Sequence, residues 1–148
     1  MSDADARHEV TPADVVTEAR RWIGVPYRHQ GRNAHALDCI GFIILIAKNL
    51  KLVEGALPSN YGRLPQAQLL REVEARCEHV EANEPGVMVL IRWRGDLEPG
   101  HSAISTGDTL IHSCRTFGKV VEHGFRAPWN ELVHSYWRLP GVRYQPLG

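Results

Sequence analysis

The sequence predicts an α+β fold, with helices packed on a C-terminal antiparallel sheet of about five strands. Two patterns carry that reading. Up to about residue 75, apolar side chains recur at helical spacing or fill one apolar run. From Val87 onward the apolar residues come in short runs of strand length, most of them separated by turn residues. Helices first and strands afterwards argue against alternating βαβ units and for a segregated α+β arrangement.

The elements follow in order. Residues 1–10 are expected to form a flexible tail, and residues 11–148 a single domain, a length that suits one core. Thr11-Pro12 reads as N-cap and first helical residue. Val15, Val16, Ala19, Trp22 and Ile23 then recur at helical spacing until Gly24. Residues 25–37 carry Pro26, Gly31 and Asn33 and read as loop. Asp38 is placed to cap a second helix from Cys39 to about Asn49, apolar all round and hence central. Its β-branched content would also suit a strand, and periodicity alone does not decide. Leu69–Ala75, after Pro65, reads as a third, amphipathic helix. Residues 87–91, 101–106, 109–114, 119–125 and 134–139 are the expected strands.

Composition excludes several classes of function. Basic and acidic residues balance at 17 each, so no strong field draws the chain to nucleic acid or to an anionic membrane. The longest apolar run, residues 39–47, is far short of a membrane span. The N-terminus has no basic stretch followed by an apolar one, so it does not read as a classical signal peptide. Three cysteines, Cys39, Cys77 and Cys114, are too few for a disulfide framework and fit a protein made in the reducing cytoplasm.

The chemistry centres on Cys39. A thiol at a helix N-terminus feels the positive end of the helix dipole, which favours the thiolate a nucleophile needs. Free cysteine is also among the most buried residue types, so position alone leaves a packing role open. The second-half hairpin supplies a partner. Gly107-Asp108 suits a two-residue turn that pairs Thr106 with Thr109. Counting outward, Ala103 faces His112 and His101 faces Cys114. His101 and His112 then share one face as diagonal neighbours, about 7–8 Å apart at the backbone. One imidazole can orient the other, giving a general base and its orienter on a rigid sheet.

These residues resemble the NlpC/P60 family of papain-like cysteine peptidases. Ala19-Arg20-Arg21-Trp22-Ile23-Gly24-Val25-Pro26-Tyr27 is similar to the family's opening helix and Gly-x-Pro-Tyr turn. Asp38-Cys39-Ile40-Gly41-Phe42 is similar to its nucleophile motif, with Ile40 in place of the usual serine. Gly100-His101-Ser102-Ala103-Ile104 is similar to the base motif, and Leu110-Ile111-His112-Ser113 to the strand bearing the third catalytic residue. The resemblance implies a papain-like fold and a cysteine-type endopeptidase with no cofactor. Cys39 would be the nucleophile, His101 the base and His112 its orienter, with Tyr27 in the oxyanion environment and Asp38 recognising a substrate amine. The implied substrate is a peptidoglycan stem peptide, cut between D-glutamate and a diamino acid. Arg28-His29-Gln30 and the ending Ser135-Tyr136-Trp137-Arg138-Leu139-Pro140-Gly141 resemble the phage and gene-transfer-agent branch. That branch implies phage-tail or particle proteins as partners, and action at the wall from a virion or particle.

Rival readings attach to the same residues. His101, His112, Cys114 and His123 could converge on zinc, although no pair has HxxxH or CxxC spacing. The fold could transfer acyl groups instead of hydrolysing, or serve as a non-catalytic tail-assembly module. Trp93, Trp129 and Trp137 could line a groove, but aromatic residues on short strands more often belong to a core.

Overall fold

A computed structural model describes residues 9–52 and 68–147. Helix α1 spans Pro12–Arg20, capped by Thr11 in a reciprocal box with Asp14. It stops four residues short of Gly24, so Ile23, expected on its buried face, is 46% exposed. The chain turns there, and Gly24 N–H donates to the Val120 carbonyl. The expected loop contains a small hairpin, β1 (Arg32–Asn33) and β2 (Ala36–Leu37). Helix α2 runs Cys39–Asn49 behind the Asp38 cap, as the sequence predicts, and buries Phe42, Ile44 and Ile46. Helix α3 is Leu69–Arg76. Of the expected tail, residues 1–8 lie outside the described residues, as does Pro65, while Val10 bridges Val142.

The second half forms a six-stranded antiparallel sheet: β3 (Glu78–Val80), β4 (Met88–Ile91), β5 (His101–Ser105), β6 (Thr109–Cys114), β7 (Lys119–Gly124) and β8 (Val133–Arg138). Their order in space is β3-β8-β4-β5-β6-β7. The sixth strand, β3, carries a single apolar residue, Val80, so it sent no hydrophobic signal. The β5–β6 register is the one counted from the sequence, with Ser105 opposite Leu110 and Ile104 opposite Ile111. Gly107 takes φ +103, the left-handed conformation such a turn needs at its first central residue.

Alternation along the strands divides the sheet into two faces. One packs Met88, Leu90, Ile104, Ile111 and Val120 against α1 and α2. The other packs Val89, Ile91, Ala103 and Leu110 against Trp93, Phe125, Trp129 and Tyr136. On the helix face two serines tie the start of α2 to the sheet. Ser113 Oγ donates to the Leu37 carbonyl at 2.5 Å, and Ser102 Oγ to the Cys39 carbonyl at 3.1 Å.

Ser113 is fully buried. Ser113→Ala leaves the Leu37 carbonyl only the longer bond from Arg28 N–H, at 3.4 Å, and is expected to destabilise the fold by about 0.5–1.5 kcal/mol in urea unfolding. A loss below about 0.5 kcal/mol would mean the tie contributes nothing beyond packing.

Candidate functional site

The loop–helix junction is built first. Asp38 is extended at the N-cap, and its Oδ1 accepts from Gly41 N–H at 2.6 Å. Cys39, the first helical residue, is 4% exposed. Tyr27 is held from two sides: its N–H donates to the Gly118 carbonyl, and it bridges Leu37. Burial raises the Tyr27 hydroxyl above its ordinary pKa, and negative charge on Cys39 and Asp38 raises it further. Tyr27 therefore keeps its hydroxyl proton at neutral pH.

The sheet supplies the second half of the site. His101 opens β5 and His112 lies mid-β6, their side chains alternating to the same face as Ala103 and Leu110. His101 Nε2 and His112 Nδ1 are 2.6 Å apart, and the two rings meet edge to face. A third histidine extends the contact: His112 Nε2 is 2.8 Å from His123 Nε2 on β7. From the sequence, His123 stands out only as a candidate zinc ligand. Counting across the next turn would have found it, because His112 faces Val121, and residue 123 is then the diagonal neighbour on the same face.

Aromatic rings enclose this chain. Trp93 packs on His101, Trp129 on both His112 and His123, and Phe117 on His123. Trp93 and Trp129 thus belong to the wall of the histidine chain. Trp137 sits on the helix face, its indole N–H bonded to Ser135. Burial pulls the His101 pKa down to about 3. Burial, then the charges of His101 and His123, pulls His112 down to about 2. Both rings are neutral at pH 7, each with one lone pair and one N–H.

His101, His112 and Cys114 bring one ligand atom each to within 4.8 Å of one another. The histidine spacing fits hydrogen bonding better than zinc. Two nitrogens on a tetrahedral zinc stand about 3.3 Å apart, given Zn–N bonds of about 2.0 Å. The 2.6 Å contact is shorter than that. Among other titratable residues, His35 is exposed in the β1–β2 turn, Asp96 and Glu98 are exposed in the loop before β5, and burial raises the Cys77 thiol to about 11, which disfavours its thiolate. A groove of ≈470 Å³ opens beside Tyr27, lined also by Arg28, His29 and Arg115.

No family model matches the chain, and no curated protein matches it in sequence. Solved structures do match. The NlpC/p60 domain of the peptidoglycan hydrolase SagA superposes with TM-score 0.61 at 19% identity, over 88% of this chain and 100% of that one. An NlpC/P60 family protein from Bacillus cereus ATCC 10987 gives 0.68 at 20%, over 90% of this chain and 41% of that one. NlpC1 from Trichomonas vaginalis gives 0.66 at 17%, over 84% and 42%. The chain thus spans the whole of one such domain and about two fifths of the two longer proteins. At these identities the likeness establishes the fold, which is that of NlpC/P60 domains.

The buried histidines make the fold acid-sensitive in a stated direction. Their folded pKa values lie below the unfolded value of about 6.5, so the unfolded chain binds more protons as pH falls. Stability is complete above about pH 6.5 and declines below it, by up to about 1.4 kcal/mol per pH unit for each histidine. Urea unfolding between about pH 7 and 5, above the range of ordinary carboxylates, isolates this effect. A flat profile there would show that the two rings are not held neutral.

Proposed function

We propose that this chain is a cysteine peptidase that hydrolyses an amide bond in peptidoglycan stem peptides. The observation that carries the reading is the 2.6 Å contact between two buried imidazoles, on a fold shared with domains whose described members include a peptidoglycan hydrolase. The Cys39 sulfur attacks the scissile carbonyl while its proton passes to His101. The C–N bond then breaks, His101 returns the proton to the leaving amine, and a thioester remains. Water, deprotonated by His101, attacks the thioester and releases a carboxylic acid and the thiol. His112 orients His101 throughout. The Tyr27 hydroxyl donates toward the developing oxyanion, and Asp38 recognises a positive amine on the substrate.

The bond we propose joins D-glutamate to a diamino acid, a substrate rich in carboxylates. The groove beside Tyr27 suits such a ligand: among the described residues neither Arg28 nor Arg115 has an ion-pair partner. Action at the wall from a phage or gene-transfer particle, with particle proteins as partners, completes the proposal. It rests on the resemblance of residues 28–30 and 135–141. No helix among the described residues is long and apolar enough to cross a membrane.

Incubation with defined muropeptides, followed by mass spectrometry, tests the reading. Cys39→Ala and His101→Ala should each remove turnover by about 10⁴-fold or more, and the double variant should lose little further, because the pair acts as one unit. His112→Ala should lose less, with part restored in His112→Asn. Cys114→Ser should stay active; loss there with Cys39→Ala still active would transfer the nucleophile's role to Cys114.

Neutralising the groove provides a separate check. Arg115→Gln and Arg28→Gln should raise KM for a stem peptide by about ten-fold while changing kcat little. An unchanged KM would remove the groove from the substrate's path.

A further inference from the structure

His112 engages both ring nitrogens with other histidines, so the direction of hydrogen bonding must be set at one end of the chain. That end is visible at β7. His123 Nδ1 lies 3.0 Å from the carbonyl oxygen of Gly124. A carbonyl only accepts, so Nδ1 carries the hydrogen, and in a neutral ring Nε2 is then the lone pair. His112 must donate to it through Nε2–H, which leaves His112 Nδ1 as an acceptor. His101 must in turn donate through Nε2–H, which leaves its own Nδ1 as the basic nitrogen.

We infer that His123 is a positioning residue, whose Nε2 lone pair fixes the tautomer of His112 and, through it, that of His101. Two further features support this. His123 packs against both Trp129 and Phe117, which also stack on each other, so the ring is held where its Nε2 meets His112. His112 is fully buried, so its Nε2–H has no water to turn to if His123 is lost. Without that acceptor the favourable alternative is the reversed chain. In it His112 donates from Nδ1 to His101 Nε2, and His101 carries its hydrogen on Nδ1, where it cannot take a proton. The inference rests on the peptidase reading only for what the His101 lone pair does.

Long-range ¹H–¹⁵N correlation on histidine-labelled protein, at about pH 8 where free imidazole is neutral, reads each tautomer without any substrate. The wild type should show hydrogen on Nε2 of His101 and His112 and on Nδ1 of His123. His123→Phe should move His101 toward the Nδ1–H form and slow alkylation of Cys39 by iodoacetamide about ten-fold, the scale of one lost hydrogen bond. His123→Gln, whose side-chain carbonyl can accept from His112, should restore the wild-type tautomer and most of the rate. Hydrogen on Nδ1 of His101 in the wild type would overturn the inference. So would His123→Phe keeping the wild-type tautomer and rate, or His123→Gln failing to preserve them. Should His123→Phe not fold, the wild-type spectrum and His123→Gln decide the matter. If the wild type cleaves no stem peptide yet shows the expected tautomers, the peptidase reading falls and the relay stands.

Discussion

Two serine hydroxyls on adjacent strands clasp the backbone at the start of α2, and much of the site follows from that seam. The helix is apolar on nearly every side, so its entry cannot sit in solvent without exposing core. Leu37 and Cys39 consequently present their carbonyls to the sheet, and Ser113 and Ser102 answer from adjacent strands. Each serine is next in sequence to a histidine whose side chain projects from the opposite face. The bonds that fix the nucleophile's helix therefore also fix the backbone that carries the imidazoles. A single seam sets both halves of the proposed catalytic unit.

Much of this was legible in the sequence, for identifiable reasons. Asp38 followed by a long apolar run pointed to a helix from Cys39 to about Asn49, because a cap and a burial signal coincide there, although periodicity alone left a strand open. Gly107-Asp108 specified the β5–β6 register, because a tight turn leaves few pairings open. Where the signals were weak, the reading drifted. Trp22 and Ile23 continue the helical spacing of α1, yet the last turn tightens after Arg20 and the chain leaves at Gly24 to dock on β7, a tertiary contact that no local pattern reports. Strand β3 has only Val80 to advertise it and is held by pairing to β8. His123 is visible as a residue but not as a partner, since its place depends on the β6–β7 pairing across a second, longer turn with less restrictive geometry.

The histidine chain also shows what the fold gives up for geometry. His101 and His112 are buried where ionisation is strongly disfavoured, and apolar residues of similar volume would remove that liability. What the rings supply instead is a directed row of hydrogen bonds in a dry setting, where orientation is enforced by the absence of alternatives. The aromatic wall of Trp93, Trp129 and Phe117 maintains that dryness.

The three histidines lie on three consecutive strands, and each contact is diagonal across a hairpin. Connecting segments normally absorb insertions more readily than any other part of a protein. Here the two-residue turn at 107–108 and the four-residue turn at 115–118 set which side chains fall on the same face. One added residue that shifted either pairing would invert the alternation and send an imidazole to the other side of the sheet. Length variation among natural relatives should therefore be excluded from these two turns and find its outlet in longer segments, such as the approach to β5. In this architecture the permissible indels are dictated by proton chemistry, and the quietest-looking stretches of chain are the ones evolution is least free to lengthen.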